Sequence, residues 1–130
     1  MVTDPVADFI TRLRNGSAAG RATVTVDFSN LTMAIAEKLA AAGLLKAAVK
    51  KGKKTRKFIE VELAYQDGRP RITNVKRLSK SSRRVYLGWR AIRPVRQGHG
   101  QLIISTARGV LTGAEARRLK VGGEPLFTIW

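Results

Sequence analysis

Three hydroxyls, a guanidinium and a glycine stand together in Ser105-Thr106-Ala107-Arg108-Gly109-Val110-Leu111-Thr112. Short hydroxyl side chains and exposed backbone suit the 2′-hydroxyls of a shallow RNA minor groove, while a planar guanidinium suits phosphate or a base edge. Before this stretch, Leu102-Ile103-Ile104 predicts a short buried strand. After it, Thr112 followed three residues later by Glu115 forms a capping box that opens a helix. The stretch is therefore expected as a loop clamped between strand and helix, with its polar atoms held out on a fixed frame. Because the capping box already occupies donors at the helix N-terminus, the expected binding groups are the loop's hydroxyls, its backbone and Arg108.

Charge supports a polyanionic partner. In 130 residues, 25 Lys and Arg oppose 9 Asp and Glu, a net charge of +16 with a sequence pI near 11.5, which exceeds what solubility requires. From Gly68 to Ala114 there is no acidic residue, and most of the cations there are arginine. His99, flanked by Gly98 and Gly100, has no carboxylate near it in sequence to orient it, which argues against catalysis. Gly-His-Gly also lacks the third glycine of a dinucleotide fingerprint. With no cysteine, disulfides, thiolate metal sites and thiol nucleophiles are excluded, and a reducing compartment fits. No apolar run reaches the roughly 20 residues needed to cross a bilayer, and Thr3-Asp4-Pro5 does not open a secretion signal. No membrane, small-molecule substrate, cofactor or metal is expected.

The elements that must carry these groups are legible in order. Thr3 or Asp4 caps a first helix with Pro5 in its first turn and Val6, Phe9, Ile10 and Leu13 on one face. Asn15-Gly16 is expected to end it, and Arg12 and Arg14 lie off that face, either solvated or reaching for phosphate. Alternation from Ala22 to Phe28 predicts a half-buried strand. Ser29 or Asn30 then caps a second helix with Leu31, Ile35, Leu39 and Ala42 on one face, stopping at Gly43. Strands at 44–49 and 57–65 should form a hairpin. Its connection gathers Lys50, Lys51, Lys53, Lys54, Arg56 and Lys57 around Gly52, and repulsion is expected to keep that tip extended and mobile, available to phosphate.

Gln66-Asp67-Gly68-Arg69-Pro70 is turn chemistry and divides the chain into subdomains 1–66 and 67–130. The second should hold a strand at 72–78 and then Arg83-Arg84-Val85-Tyr86-Leu87 as a short strand or extended arm. Tyr86 among arginines could stack on a base or pack on the sheet edge. Trp89 and Ile92 read as core or joint residues, and residues 97–101 as a flexible approach. A helix from Gly113 to about Lys120 follows, with Arg117, Arg118 and Lys120 complementing its dipole. Gly122-Gly123-Glu124 leads into the buried closing strand 125–130. Glu124 can aim an arginine or accept a hydrogen bond from a base, the former being preferred. The fold class is α+β, with an N-terminal helix-strand-helix-strand-strand half and a C-terminal small antiparallel sheet with short helices.

Three motifs stand in order: Thr3-Asp4-Pro5-Val6-Ala7-Asp8 with Thr11-Arg12-Leu13-Arg14-Asn15-Gly16, then Ser105 to Thr112, then Gly122-Gly123-Glu124. Together they resemble the bacterial-type ribosomal protein S-eight family of the small subunit over essentially the entire chain. The resemblance implies direct binding to an irregular helix in the central domain of small-subunit rRNA, early in assembly. It implies neighbouring small-subunit ribosomal proteins as partners and, in some bacteria, regulation through the protein's own operon messenger. By position, Ser105, Thr106, Arg108 and Gly109 would meet the RNA helix, with Tyr86 as aromatic neighbour and Glu124 on the same surface. Arg84, Arg12, Arg14, Lys53, Lys54 and Arg56 complete the expected RNA contacts. The family commonly has Ser where Ala107 stands, and Leu87-Gly88-Trp89 replaces a more basic stretch. A cytoplasmic ribosome is the implied location, with an organellar one left open. The alternative is a non-ribosomal nucleic-acid chaperone or nucleoid protein, which would bind DNA and unrelated RNA equally.

Overall fold

The computed structural model describes residues 4–130, so Thr3 as a helix cap lies outside the described residues. The chain divides into two compact units, one ending at Thr73 and the other running Asn74–Trp130. The fold is α+β.

In the first unit, helix α1 is Pro5–Ala18, capped by the Asp4 side chain, which accepts from the Ala7 amide at 3.1 Å. Val6, Phe9, Ile10 and Leu13 are buried as their spacing requires. The helix does not end at Asn15-Gly16 but continues to Ala18. A Cβ on Gly16 would lie 2.5 Å from Val24 Cγ1 and 3.2 Å from Leu63 Cδ1, so this glycine lets the helix approach the sheet closely instead of stopping it. Tertiary packing overrides the local stop signal here.

Strand β1 is Thr23–Asp27, helix α2 Asn30–Ala41, β2 Leu45–Lys53 and β3 Arg56–Leu63. The sheet order is β1-β3-β2, all antiparallel. Ile59, Val61 and Leu63 face the core, together with Val26, Ile35, Ala36 and Leu39. Ser29 caps α2 reciprocally with Thr32, whose side chain is buried in place of the expected Leu31, 38% exposed at the edge of the helix. Thr32 is affordable inside because its hydroxyl is engaged by the Ser29 amide at 3.0 Å and by Asp27 O at 3.3 Å.

The basic connection departs from expectation. Lys50, Lys51, Gly52 and Lys53 lie within β2, and Lys53 pairs with Arg56, which leaves only Lys54-Thr55 as the turn. The lysines are held by local partners rather than kept apart by repulsion: Lys51 Nζ meets Glu60 at 3.1 Å, and Lys50 Nζ sits 4.4 Å from the Phe28 ring centroid. Beyond the sheet, β4 (Tyr65–Gln66) and β5 (Arg69–Pro70) form a two-stranded ribbon about the Asp67-Gly68 turn.

The second unit is a four-stranded antiparallel sheet in the order β6-β9-β7-β8. Its strands are β6 Val75–Arg77, β7 Gln101–Thr106, β8 Gly109–Thr112 and β9 Gly123–Ile129. The strand expected over 72–78 is thus confined to its centre. Helix α3, Gly113–Leu119, covers the sheet under the anticipated Thr112–Glu115 capping box. Ile92, Leu102, Ile104, Leu111 and Ala116 form its core, with Trp89 packed against them. Pro125, in an inner strand where a missing amide is costly, sits at the register shift between Ile103 and Ile104. The segment expected as a flexible approach is instead a 3-10 turn, Val95–Gly98, followed by Gly100 buried against Ile129 O.

Candidate nucleic-acid interface

The stretch from Ser105 to Thr112 is a β-hairpin rather than a loop between strand and helix. Strands β7 and β8 pair through Ser105↔Val110 and Thr106↔Gly109, so Ala107-Arg108 is the whole turn. The β-branched residues on either side carry the ladder to its end. Thr106 organises the tip: its Oγ1 accepts from the Arg108 amide at 3.0 Å and donates to Gly109 O at 2.8 Å. Gly109 takes φ +102°, which a side chain would strain. The Thr106 hydroxyl therefore spends its proton inside the turn. The Ser105 hydroxyl has no hydrogen-bond partner among the described residues, and the Arg108 side chain stands exposed at the tip.

Strand β9 brings distant residues to this hairpin. Ser105 lies opposite Glu124 and Thr106 opposite Gly123. The arm containing Tyr86 crosses alongside, exchanging two backbone hydrogen bonds between Leu87 and Gly123 at 2.8 and 3.0 Å. Both glycines are required by crowding: a Cβ on Gly123 would fall 2.1 Å from Ser105 O, and one on Gly122 2.6 Å from Leu87 O. Tyr86 is 76% exposed, so it is not packed on the sheet edge and leaves a ring face open.

Glu124 fixes the charges of this surface. Arg84 Nη1 bonds both carboxylate oxygens at 3.0 Å, so the acid aims an arginine. The other contact was not legible in the sequence. Ser79, fully buried, donates through Oγ to Glu124 Oε2 and accepts from the Val85 amide at 3.1 Å. A serine between Leu78 and Lys80 reads as an ordinary loop hydroxyl; only its partner in β9 gives it a role. The second unit thus gathers Ser105, Thr106, Arg108, Gly109, Tyr86, Arg84 and Glu124 at one end of its sheet, around the β7–β8 tip and the start of β9.

The remaining expected residues belong to the first unit. Arg12 is bound to Asp8 Oδ2 at 3.0 Å and to Thr25 O at 3.2 Å, and Arg14 is exposed. Lys53 and Arg56 face each other across the β2–β3 ladder beside Lys54, a like-charge pairing that destabilises the hairpin unless an anion balances it. Several other cations serve the fold. Arg117 Nη1 bonds Ile92 O at 2.8 Å, and Arg96 stacks 4.2 Å from the Trp130 ring centroid. Among the described residues no His, Cys, Asp and Glu cluster could hold a metal, and His99 is exposed with no acid beside it.

The family model described as Ribosomal protein S8 matches residues 4–130. Among similar proteins, one from Oleidesulfovibrio alaskensis is 43% identical over 130 residues, all of both chains. One from Nitratiruptor sp. is 41% identical over 136 aligned positions, again covering both chains fully, and one from Ruegeria pomeroyi is 40% identical over 133, covering 99% of this chain and 100% of its own. Each is named Small ribosomal subunit protein uS8. With the match spanning every described residue, the chain belongs to the ribosomal protein S8 family.

Proposed function

We propose that the protein is a structural constituent of the small ribosomal subunit that binds an irregular helix in the central domain of small-subunit rRNA directly and helps that domain assemble. Family membership supports the ribosomal, non-enzymatic role. The observation that carries the RNA reading is the convergence of a Ser105 hydroxyl without a partner among the described residues, an exposed Tyr86 ring and an aimed Arg84 within one unit.

The division of labour follows from chemistry. Lys53, Lys54, Arg56, Arg12, Arg14 and Arg108 supply salt-dependent phosphate attraction. The rigid Ser105–Gly109 tip fits a minor-groove surface, and Tyr86 stacks on a base that an irregular helix leaves unpaired. Neighbouring subunit proteins complete its partners, and a messenger of its own operon that folds like the rRNA helix would bind the same surface.

Filter binding of the purified protein to the isolated rRNA helix, with and without excess duplex DNA, tests this. The expected result is a complex that DNA fails to displace. Equal competition by DNA and unrelated RNA would identify a general nucleic-acid chaperone instead.

A further inference from the structure

The two edges of the first unit's sheet are unlike. The outer edge of β2 carries Lys46, Lys50, Lys51 and Lys53 and a register shift at Leu45/Ala47, devices that discourage another strand from adding. The outer edge of β1, Thr23-Val24-Thr25-Val26-Asp27, has no lysine, arginine, proline or bulge.

The direction of the β1 backbone groups follows from its bonds. Leu63 N–H donates to Ala22 O at 2.9 Å and Phe28 N–H to Lys57 O at 3.3 Å, so the even-numbered residues face β3 and Thr23, Thr25 and Asp27 face outward. Two outward carbonyls are met by side chains, Thr25 O by Arg12 at 3.2 Å and Asp27 O by Thr32 at 3.3 Å. The Thr23 N–H and C=O and the Thr25 N–H have no partner among the described residues, and both threonines are exposed. Along this edge runs an open groove of about 700 Å³ between α1 and β1, with Arg12, Asn15 and Arg21 on its walls.

We infer that this groove receives a short, extended, acid-bearing segment of a neighbouring protein, which adds to β1 as a fourth strand. The inference rests on the ribosomal reading above, since the neighbour would be another protein of the subunit. The free groups run donor, acceptor, donor at strand spacing, which a peptide backbone satisfies in full. Phosphate oxygens only accept, and a ribose 2′-hydroxyl can donate but does not repeat at the donor–acceptor spacing of a strand, so an RNA backbone matches this edge less completely than a peptide does. The groove's charge selects the sequence of the segment: Arg21 is exposed on the wall, its side chain without a partner among the described residues, while Arg12 is held through Nε and Nη1 by Asp8 and Thr25. A carboxylate on the added strand meets Arg21. Arg12 also closes the groove at Thr25, so the added strand ends there.

The test uses small subunits reconstituted with protein carrying a benzophenone side chain at Thr23. The expected result is a crosslink to one Asp- or Glu-containing segment of another subunit protein. Thr25→Pro removes the outward amide without touching the ladder to β3, and it lowers that crosslink at least about fivefold while filter binding to the rRNA helix is unchanged. A crosslink to rRNA alone, no crosslink, or one indifferent to Thr25→Pro would overturn the inference while leaving the ribosomal role standing. Failure of the unsubstituted protein to enter the particle would overturn both.

Discussion

Ser79 Oγ donates a hydrogen bond to the Glu124 carboxylate across 45 positions of sequence. The same oxygen accepts from the Val85 amide at 3.1 Å. One buried hydroxyl therefore ties the start of β9 to the arm that carries Arg84 and Tyr86, and so couples the stability of the second unit to the geometry of the proposed RNA contact. Ser79→Ala should leave the Val85 amide without its acceptor and Glu124 Oε2 with Arg84 alone, costing about 1–3 kcal/mol. Glu124→Gln keeps an acceptor for Ser79 and loses an ion pair whose arginine side chain is 70% exposed, a loss of less than about 1 kcal/mol. Urea denaturation of both variants checks the order; a larger loss for Glu124→Gln would mean the arm is not held through Ser79.

Tyr86→Ala should separate binding from folding. With 76% of the residue exposed, its removal leaves the denaturation midpoint within about 0.5 kcal/mol of the parent. Loss of a stacked base should weaken the rRNA helix complex by about 1–3 kcal/mol, and Tyr86→Phe should restore most of it. Filter binding of the two variants decides. Equal weakening by Phe and Ala would assign the contribution to the hydroxyl and exclude stacking.

What could be read from the chain, and what could not, divides along the range of the interactions. Local signals were decisive: the Thr112–Glu115 capping box, the Ser29 cap, and the alternation of Ile59, Val61 and Leu63 all appear where their spacing puts them. The misreadings arose where a distant element reinterprets a local residue. Gly16 looks like a helix stop until Val24 and Leu63 are seen packed against it. Ser105 to Thr112 looks like a loop because its hydroxyls and glycine are loop residues, yet β9 templates β7 as far as Thr106. Lys50 to Lys57 looks self-repelling until Glu60 and Phe28 arrive from β3 and the end of β1. The motif places Ser105, Thr106, Arg84 and Glu124 near one another without showing what joins them: Ser79 carries no signal, since its partner lies in another strand.

The β2–β3 tip gives a contrast between backbone and charge. Gly52 has φ +104°, and a Cβ there would lie 2.3 Å from Arg56 O, so Gly52→Ala should destabilise the protein by more than about 1 kcal/mol. Lys53→Ala relieves a like-charge pairing with Arg56 and should be neutral or stabilising by about 0.2–1 kcal/mol. Both Lys53→Ala and Lys54→Ala should nonetheless weaken binding to all RNAs and reduce the salt slope by about one unit each. Thermal melts and a salt titration of binding check both halves. An unchanged slope would remove the tip from the interface.

The two hydroxyls at the hairpin should behave differently although they are adjacent. Thr106 holds the turn through Arg108 N–H and Gly109 O, so Thr106→Val should destabilise by about 0.5–1.5 kcal/mol, the bonds being exposed, and weaken binding to every RNA alike by loosening the tip. Ser105 has no such duty within the described residues. Its loss should leave stability within about 0.5 kcal/mol and reduce discrimination between the cognate and a mutated RNA helix. Binding of each variant to the two helices, read beside its melting curve, resolves the roles. If Ser105→Ala lowers affinity for both helices equally, the hydroxyl contributes no shape reading, and specificity must come from Tyr86 and the backbone of the tip.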